Sequence, residues 1–302
     1  MKKKNSPSVS SSTDYSGKKR SQWAEIWGRL RKQPIAMICL GYLIVLVLVA
    51  IFADVIADYD EMAIKINAAN KLLTPCKEHI FGCDNYGRDM FARIVHGSRT
   101  VLQVSVTAVL VAAVISVILA CCATLFGGIV DMIIMRIIDI FTSIPSLIIA
   151  IAICAGLGSG TWQLILALMV TNITGLTRMI RSRTISIVQM EYIESARALG
   201  ASVPHIILRH LLPNTLSILL VGVTGYVSTN IQMIATLGFV GLGIPSPRPE
   251  WGVMLNEGVT YMARAPHMVL IPGAAILLTC LATATFGDML RDACDPQLKG
   301  RA

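Results

Sequence analysis

The sequence predicts an all-α polytopic membrane protein with six transmembrane helices, and three observations predict it. Of its 302 residues, 54% are hydrophobic and only 15% charged, with a mean hydropathy of +0.66; a soluble domain carries about 25% charged residues. The apolar residues come in continuous runs that match the ~20 residues a helix needs to cross a bilayer, not in the short alternating strands of a transmembrane barrel. Basic residues gather in the N-terminal tail and, from the end of the fourth run onward, at Arg178, Arg181, Arg183, Arg197 and Arg209, as the positive-inside rule expects. Lys65, Lys71, Lys77, Arg88, Arg93 and Arg99 between the first two runs oppose it, but that segment also carries many acids and longer loops translocate largely regardless of charge.

Residues 1–34 form a basic tail. Lys2, Lys3, Lys4, Lys18, Lys19, Arg20, Arg29, Arg31 and Lys32 stand against Asp14 and Glu25, a net +7 of the chain's +8. A cationic segment beside a span stays cytoplasmic and attracts anionic lipid, which accounts for the charge without a nucleic-acid partner. Its first ~22 residues are Ser- and Lys-rich, a composition of disorder. Gln22 to Lys32 reads as a short amphipathic helix on the membrane surface, with Trp23, Trp27 and Leu30 as its apolar side. The first apolar run begins only near Ile35, is too long for a signal core and lacks a cleavage site, so it is expected to remain as a helix.

That first span covers about 35–57 and is followed by an extracytoplasmic segment, 58–100. The core, 101–290, then contains spans at about Val101–Phe126, Met132–Ala155 (with Pro145 inside), Thr161–Met179, Thr215–Phe239 and Met268–Leu290. GLGIPSPRPEWG, before the last span, is a loop by its Gly and Pro content. Residues 291–302 form a second cytoplasmic tail. Six spans beginning inside place both termini in the cytoplasm.

Between the fourth and fifth spans lies a polar island, EYIESARALGASVPHIILRHLLPN, from Glu191 to Asn214. Tyr192 to Leu199 is built of helix formers. Gly200 is suited to the left-handed conformation that ends a helix. Ser202 is a candidate cap for a second helix with Pro204 in its first turn. This helix is expected to bury Ile206, Ile207, Leu208 and Leu211, while Glu191, Glu194, Arg197, His205 and Arg209 face outward. The result is a helix–turn–helix beneath the membrane, suited to docking a soluble partner.

Several other features carry candidate chemistry. No phosphate-cradling G-x-x-x-x-G-K-[ST] occurs, so any ATP hydrolysis must be done by separate subunits. H-E-x-x-H, G-x-S-x-G and paired intramembrane aspartates are missing too, which argues against an enzyme. Cys76 and Cys83 are candidates for a disulfide on an oxidising face; with His79 they also suggest, more weakly, a metal site. Arg88 and Asp89 read either as a contact for an external delivery protein or as the start of an interfacial helix. Arg136 and Asp139, three apart, read as a structural helix pair. Asn172, Asn230 and Gln232 are the polar exceptions within the spans. They are candidates for a substrate path, with helix–helix hydrogen bonding as the equal alternative. The scarcity of ionisable residues in the spans argues against an ion-coupled secondary transporter or channel, the alternative reading.

The island resembles the EAA loop of ABC-importer permeases, in which E-A-A-x-x-x-G precedes L-P by a fixed interval: Glu194, Ser195, Ala196 and Gly200, then Leu212–Pro213. Ser195 departs from the middle alanine, and His210 stands where many members have Ile. HIFGCDNYGRDMFARIVHGSR (79–99), LGFVGLGIPSPRPEWGVML (237–255) and GDMLRDACDPQLK (287–299) are similar to segments of the C-type subunit of dipeptide, oligopeptide and nickel permeases. Cys83 replaces a Thr there and Ala92 a Ser. The resemblance spans about Phe81 to Leu298. It implies a type I ABC-importer permease fold with cytoplasmic coupling helices at about 185–213. It implies a bacterial plasma (inner) membrane location, a second homologous permease as heterodimer partner, two ATP-binding subunits and an extracytoplasmic substrate-binding protein. No cofactor is expected on this chain, since ATP is used by the partner subunits. Glu191, Glu194, Ala196, Arg197, Gly200, Arg209, Leu212 and Pro213 would form the ATPase-coupling surface. The substrate would be a dipeptide, oligopeptide, glutathione or nickel.

Overall fold

The computed structural model describes residues 22–294, with side chains from Ile26 onward. The basic tail through residue 21, the Trp23 side chain and the tail beyond Cys294 lie outside the described residues. The described residues form helices joined by irregular segments, with no strand among them.

Helix α1, Gln22–Leu30, precedes α2, Pro34–Ile51. Pro34 sits in the first turn of α2, where its missing N–H removes nothing the helix would use. Helix α1 rests on the C-terminal helix: Leu30 and Ala293 are buried together, with Ile26, Met289 and Leu290 around them. Only Ala36, Leu46 and Ala50 of α2 are buried. Ile38, Ile44, Val45 and Ile51 point away from the bundle, as a lipid-facing helix requires.

After the four-residue helix α3 (Ala53–Ile56) the chain passes through a π-helical segment, Tyr59–Ile64, and a 3-10 turn, Ala68–Asn70, joined by irregular stretches, to Asp89. Helix α4, Met90–Phe126, then continues for 37 residues, about 55 Å at 1.5 Å per residue. It starts eleven residues before the expected span, because Asp89 caps it by accepting the Ala92 N–H at 2.9 Å. Arg99 on α4 donates to the terminal carbonyls of α2, Ala50 at 2.8 Å and Ile51 at 3.1 Å, and so closes that helix end.

The expected third span is broken. Helices α5 (Gly128–Thr142) and α6 (Ser146–Leu157) meet at 84°. Pro145 has an extended ψ of 132° and opens α6 as its N-cap; having no N–H, it cannot continue α5. Among the described residues, five helices are long and apolar enough to cross a membrane, or six if this bent pair counts as one span.

Helix α7 is Thr161–Val188, nine residues beyond the expected end of the fourth span. Helices α8 (Glu191–Ala198) and α9 (Val203–Ile206) follow. A π-helical turn, Ile207–Leu211, then leads without interruption into α10, Leu212–Phe239. Helix α11 (Trp251–Val259) and helix α12 (His267–Cys294) complete the described residues.

Helix α4 packs along α7, and α10 packs against α12, α4 and α7. Lipid offers little hydrophobic drive for one apolar helix to prefer another, so such contacts depend on close packing of small residues. Ala108, Ala112, Ala120 and Ala167 are accordingly fully buried. At Gly97 a Cβ would lie 2.5 Å from the Trp251 indole nitrogen, which instead donates to the Ile94 carbonyl at 3.1 Å.

Polar clamps add to this packing. Asn172 Nδ2 donates to Asn230 Oδ1 at 3.0 Å, and Asn230 Nδ2 donates to the Ser105 carbonyl at 3.1 Å. The trio joins α7, α10 and α4. Asp139 pairs with Arg178 at 2.6 Å rather than with Arg136, its expected partner. Arg181 grips Asp131 through two bonds of 2.6 Å. The local three-residue spacing thus gives way to fork-shaped contacts between α5 and α7.

At the other end of the bundle, residues 58–89 are fastened to the α10–α11 loop and α11 by a buried charge cluster. Arg88 reaches Asp84 at 2.5 Å, Glu257 at 3.0 Å and Ser246 Oγ at 2.8 Å. Fully buried Arg93 lies 3.5 Å from both Asp84 and Glu257. Asp89, besides capping α4, accepts from His79 Nδ1 at 2.7 Å. Arg88 and Asp89 are therefore interior, at 2% and 4% exposure. Of the two readings of these residues, the helix-start role is the one the structure builds; neither presents itself to an external protein. Cys76 and Cys83, expected as candidates for a disulfide, are both free thiols in this structure. Cys83 is buried, its N–H bonded to the Leu73 carbonyl and its thiol pushed up to about 12, chiefly by burial and then by Asp89 and Asp84. Cys76 is exposed, its N–H turned to the His79 carbonyl.

Candidate functional site

The polar island folds as an elbow. Glu191 and Glu194 occupy the first turn of α8 and Arg197 its last, each sign suited to the nearby helix dipole. The helix ends in a two-bond turn: the Gly200 N–H donates to the Arg197 carbonyl at 2.9 Å and the Ala201 N–H to the Ala196 carbonyl at 3.0 Å. This is a Schellman motif, which needs a left-handed residue at its centre; Gly200 supplies it with φ +80°. Ser202 is the N-cap of α9 by backbone conformation, with Pro204 in the first turn, but its hydroxyl makes no cap bond.

Apolar side chains fix the elbow to the bundle. Ile193, Ile206 and Leu211 are buried with Ile187 of α7 and Cys121 of α4. Of the residues expected to be buried, Leu208 is not: it is 65% exposed. The π-helical turn rotates this part of the helix, so that Ile206 and Leu211 face inward while Leu208 points out. Glu191, Glu194, Arg197, His205, Arg209 and Pro213 are exposed, and Ala196 and Leu212 half-buried. Leu199, 89% exposed, joins Leu208 and Tyr192 in giving the charged surface an apolar component that polarity alone did not reveal. His210 lies between the rings of Tyr192 and His205, 5.8 Å from each. A depression of about 310 Å³ beneath Gly200 is lined by Ala196, Leu199, Ala201, Ser202 and His205.

The elbow opens directly into a larger cleft. Val203–Phe239 is one continuous apolar helical run. Pro213 is accommodated at the end of the π-helical turn, where Asn214 Nδ2 donates to the His210 carbonyl at 2.7 Å. Pro213 and Asn214 line the lower end of a cleft of about 780 Å³ between α10, α12, α7 and α1. Ser217, Val221, Gly225, Thr229 and Gln232 continue the lining up one face of α10 at three- and four-residue spacing. Gln232 is exposed on this face. Asn172 and Asn230, expected beside it, are 2% and 1% exposed and are engaged in the clamp on the opposite side of α10. A two-residue step along a helix turns the side chain through ~200°, which separates Asn230 from Gln232. Arg183, read in the sequence only as a positive-inside charge, and Arg291 line the mouth.

At the end away from the elbow, Glu250 caps α11 with both carboxylate oxygens, accepting from the Gly252 N–H at 2.7 Å and the Val253 N–H at 2.9 Å. It is fully buried. Burial pushes its carboxyl up to about 7, against the lowering effect of the two N–H groups.

Comparisons with known proteins give this arrangement its context. Residues 105–300 match the family described as binding-protein-dependent transport system inner membrane component. Residues 21–75 match the N-terminal TM domain of oligopeptide transport permease C. The chain is 43% identical over 282 residues to the glutathione transport system permease protein GsiD of Escherichia coli O6:K15:H31 (strain 536 / UPEC), covering 93% of this chain and 92% of the relative. The GsiD proteins of Shigella boydii serotype 4 and Shigella sonnei match with the same identity and coverage. The chain therefore belongs to the binding-protein-dependent inner-membrane permeases, the multi-pass transport subunits of ABC importers, which work with a permease partner, ATPases and a binding protein and leave ATP hydrolysis to separate subunits.

Proposed function

We propose that this chain forms half of the translocation pathway of a short-peptide importer, paired with a different but homologous permease and powered by two ATP-binding subunits. The elbow and both termini lie in the cytoplasm, and the α11 end receives substrate from an extracytoplasmic binding protein. The observation that carries the reading is the continuity of the elbow with α10. A helix that begins in the exposed elbow and ends beyond the cleft transmits a push at one end as a rigid displacement of the cleft wall. ATP-driven closure of the motor subunits would supply that push through Glu191, Glu194, Arg197, Arg209 and the exposed Leu199 and Leu208. The chain itself holds no cofactor and makes no covalent bond; its work is vectorial.

For the substrate, the GsiD relatives favour glutathione or a peptide of similar length over nickel. The test is uptake into proteoliposomes containing the full complex and its binding protein, with labelled glutathione, a dipeptide and nickel offered separately. ATP-dependent uptake of a peptide supports the reading. Uptake of nickel alone, or uptake without ATP, contradicts it.

A further inference from the structure

The cleft has an uneven charge distribution. Its wall along α10 is uncharged, lined by Ser217, Thr229 and Gln232, whereas its mouth carries Arg183 from α7 with Asp288 and Arg291 from α12. Arg29 of α1 also lines the mouth and donates to the Ala293 carbonyl at 3.3 Å. Among the described residues, Arg183, Asp288 and Arg291 take part in no ion pair, although each is within the lining of one cleft. Their neighbours behave differently: Arg178 and Arg181, on the same helix as Arg183, are both matched to aspartates. Two guanidinium groups and one carboxylate left open in one concave site form the complement of a molecule with two carboxylates and one ammonium.

We propose that this mouth is an exit-side binding station for short peptides carrying two carboxylates and one ammonium, with Arg183 and Arg291 taking the carboxylates and Asp288 the ammonium. The inference rests on the importer reading above and specifies the charge class of its substrate. Glutathione is such a peptide, with an α-ammonium and two free carboxylates. Guanidinium groups suit this task because they hold planar carboxylates through paired N–H donors. The site's exposure keeps each contact weak, which suits a station the substrate must leave.

The test uses the purified complex of this chain with its permease and ATPase partners, nucleotide-free and without binding protein, in nanodiscs of zwitterionic lipid. Glutathione and its diethyl ester, which lacks both carboxylates, are titrated against wild type, R183Q/R291Q, D288N and R264Q. Arg264 lies in the α11–α12 loop at the opposite end and serves as the control. The double variant is expected to weaken glutathione about tenfold, the size of a modest charge-assisted contact, and to leave the ester unchanged. D288N should weaken both ligands, and R264Q neither. A wild-type complex that binds the two ligands equally, or a double variant that binds glutathione as wild type does, overturns the station. Raising the salt on wild type gives a second reading that needs no folded variant: glutathione affinity should fall more steeply than that of the ester, which keeps only the ammonium contact. In nanodiscs containing phosphatidylglycerol, variants that change only the retained anionic lipid, and not peptide affinity, would assign the arginines to lipid and overturn the proposal. Failure of ATP-dependent peptide uptake by wild type would remove the importer reading itself, whereas normal uptake with unaltered binding removes only the station.

Discussion

Gly200 offers the sharpest perturbation of the elbow. Its φ of +80° lies in the left-handed region, and a Cβ built there meets nothing within 4 Å. An alanine is therefore penalised by backbone conformation alone, about 1 kcal/mol, or about a fivefold shift against the native turn. Asparagine, which tolerates this conformation, should lie between glycine and alanine. Proline is more severe. Its ring holds φ near −65°, and it removes the N–H that bonds the Arg197 carbonyl, so the turn cannot form as it stands. The assay is ATP-dependent peptide uptake by the reconstituted complex, with assembly followed by gel filtration. Gly200→Ala should reduce uptake by up to about fivefold and leave assembly intact. Gly200→Pro should abolish uptake while the chain still inserts into the membrane, since Gly200 contributes nothing to the buried plug of Ile193, Ile206 and Leu211. Wild-type uptake by Gly200→Pro, or a smaller effect from proline than from alanine, would refute the reasoning.

Three further predictions separate the corrected roles. Asn230→Leu should lower thermal stability by about 1 kcal/mol through loss of the three-helix clamp, while Gln232→Leu should leave stability unchanged and alter transport; the reverse pattern in melting and uptake would restore Asn230 to the path. Without reductant, a membrane-impermeant maleimide should label Cys76 and spare the buried Cys83; protection of Cys76 that reductant relieves would instead indicate a disulfide. Glu250 has a native carboxyl raised to about 7 from 4.5, so the unfolded state releases the proton first as pH rises. Its contribution to stability is fully present below about pH 4.5 and is lost as pH rises through about 7, on the order of 3 kcal/mol. Glu250→Gln should flatten that part of the pH–stability curve, and an unchanged slope would contradict the assignment.

How much of this was legible in the sequence depended on how local the determining interaction was. The Gly200 turn was legible because a left-handed turn favours a residue without a Cβ, and six consecutive residues, Ala196 to Ala201, contain the whole motif. The start and end of the elbow were legible for the same reason. Pro145 announced a disturbance, but the 84° angle between α5 and α6 depends on where α7 holds them, through Asp131 and Asp139. Arg88 and Arg93 looked like loop charges because Glu257, which they approach, is more than 160 residues away. Asn230 and Gln232 were equivalent as polar residues in a span. Only the position of α7 and α4 makes one a clamp and leaves the other facing the cleft. Leu208 was misplaced because an ordinary α-helical register does not anticipate the π-helical turn, Ile207–Leu211, that precedes Pro213. Within one residue type, the distinction between Arg181, matched to Asp131, and Arg183, open to the cleft, required the neighbours of α7 to be known.

The account's central claim is that elbow and cleft wall move as one piece. Spin labels at Leu208 and Phe239, both exposed and roughly 45 Å apart along one helix, measure that directly in the complete complex. A third label on the elbow of the partner permease reports the motion. On ATP binding, the Leu208–Phe239 distance should stay constant while the distance between the two elbows shortens. A change of several ångströms within the Leu208–Phe239 pair, with the cleft wall left in place, would show that the elbow bends instead of driving α10.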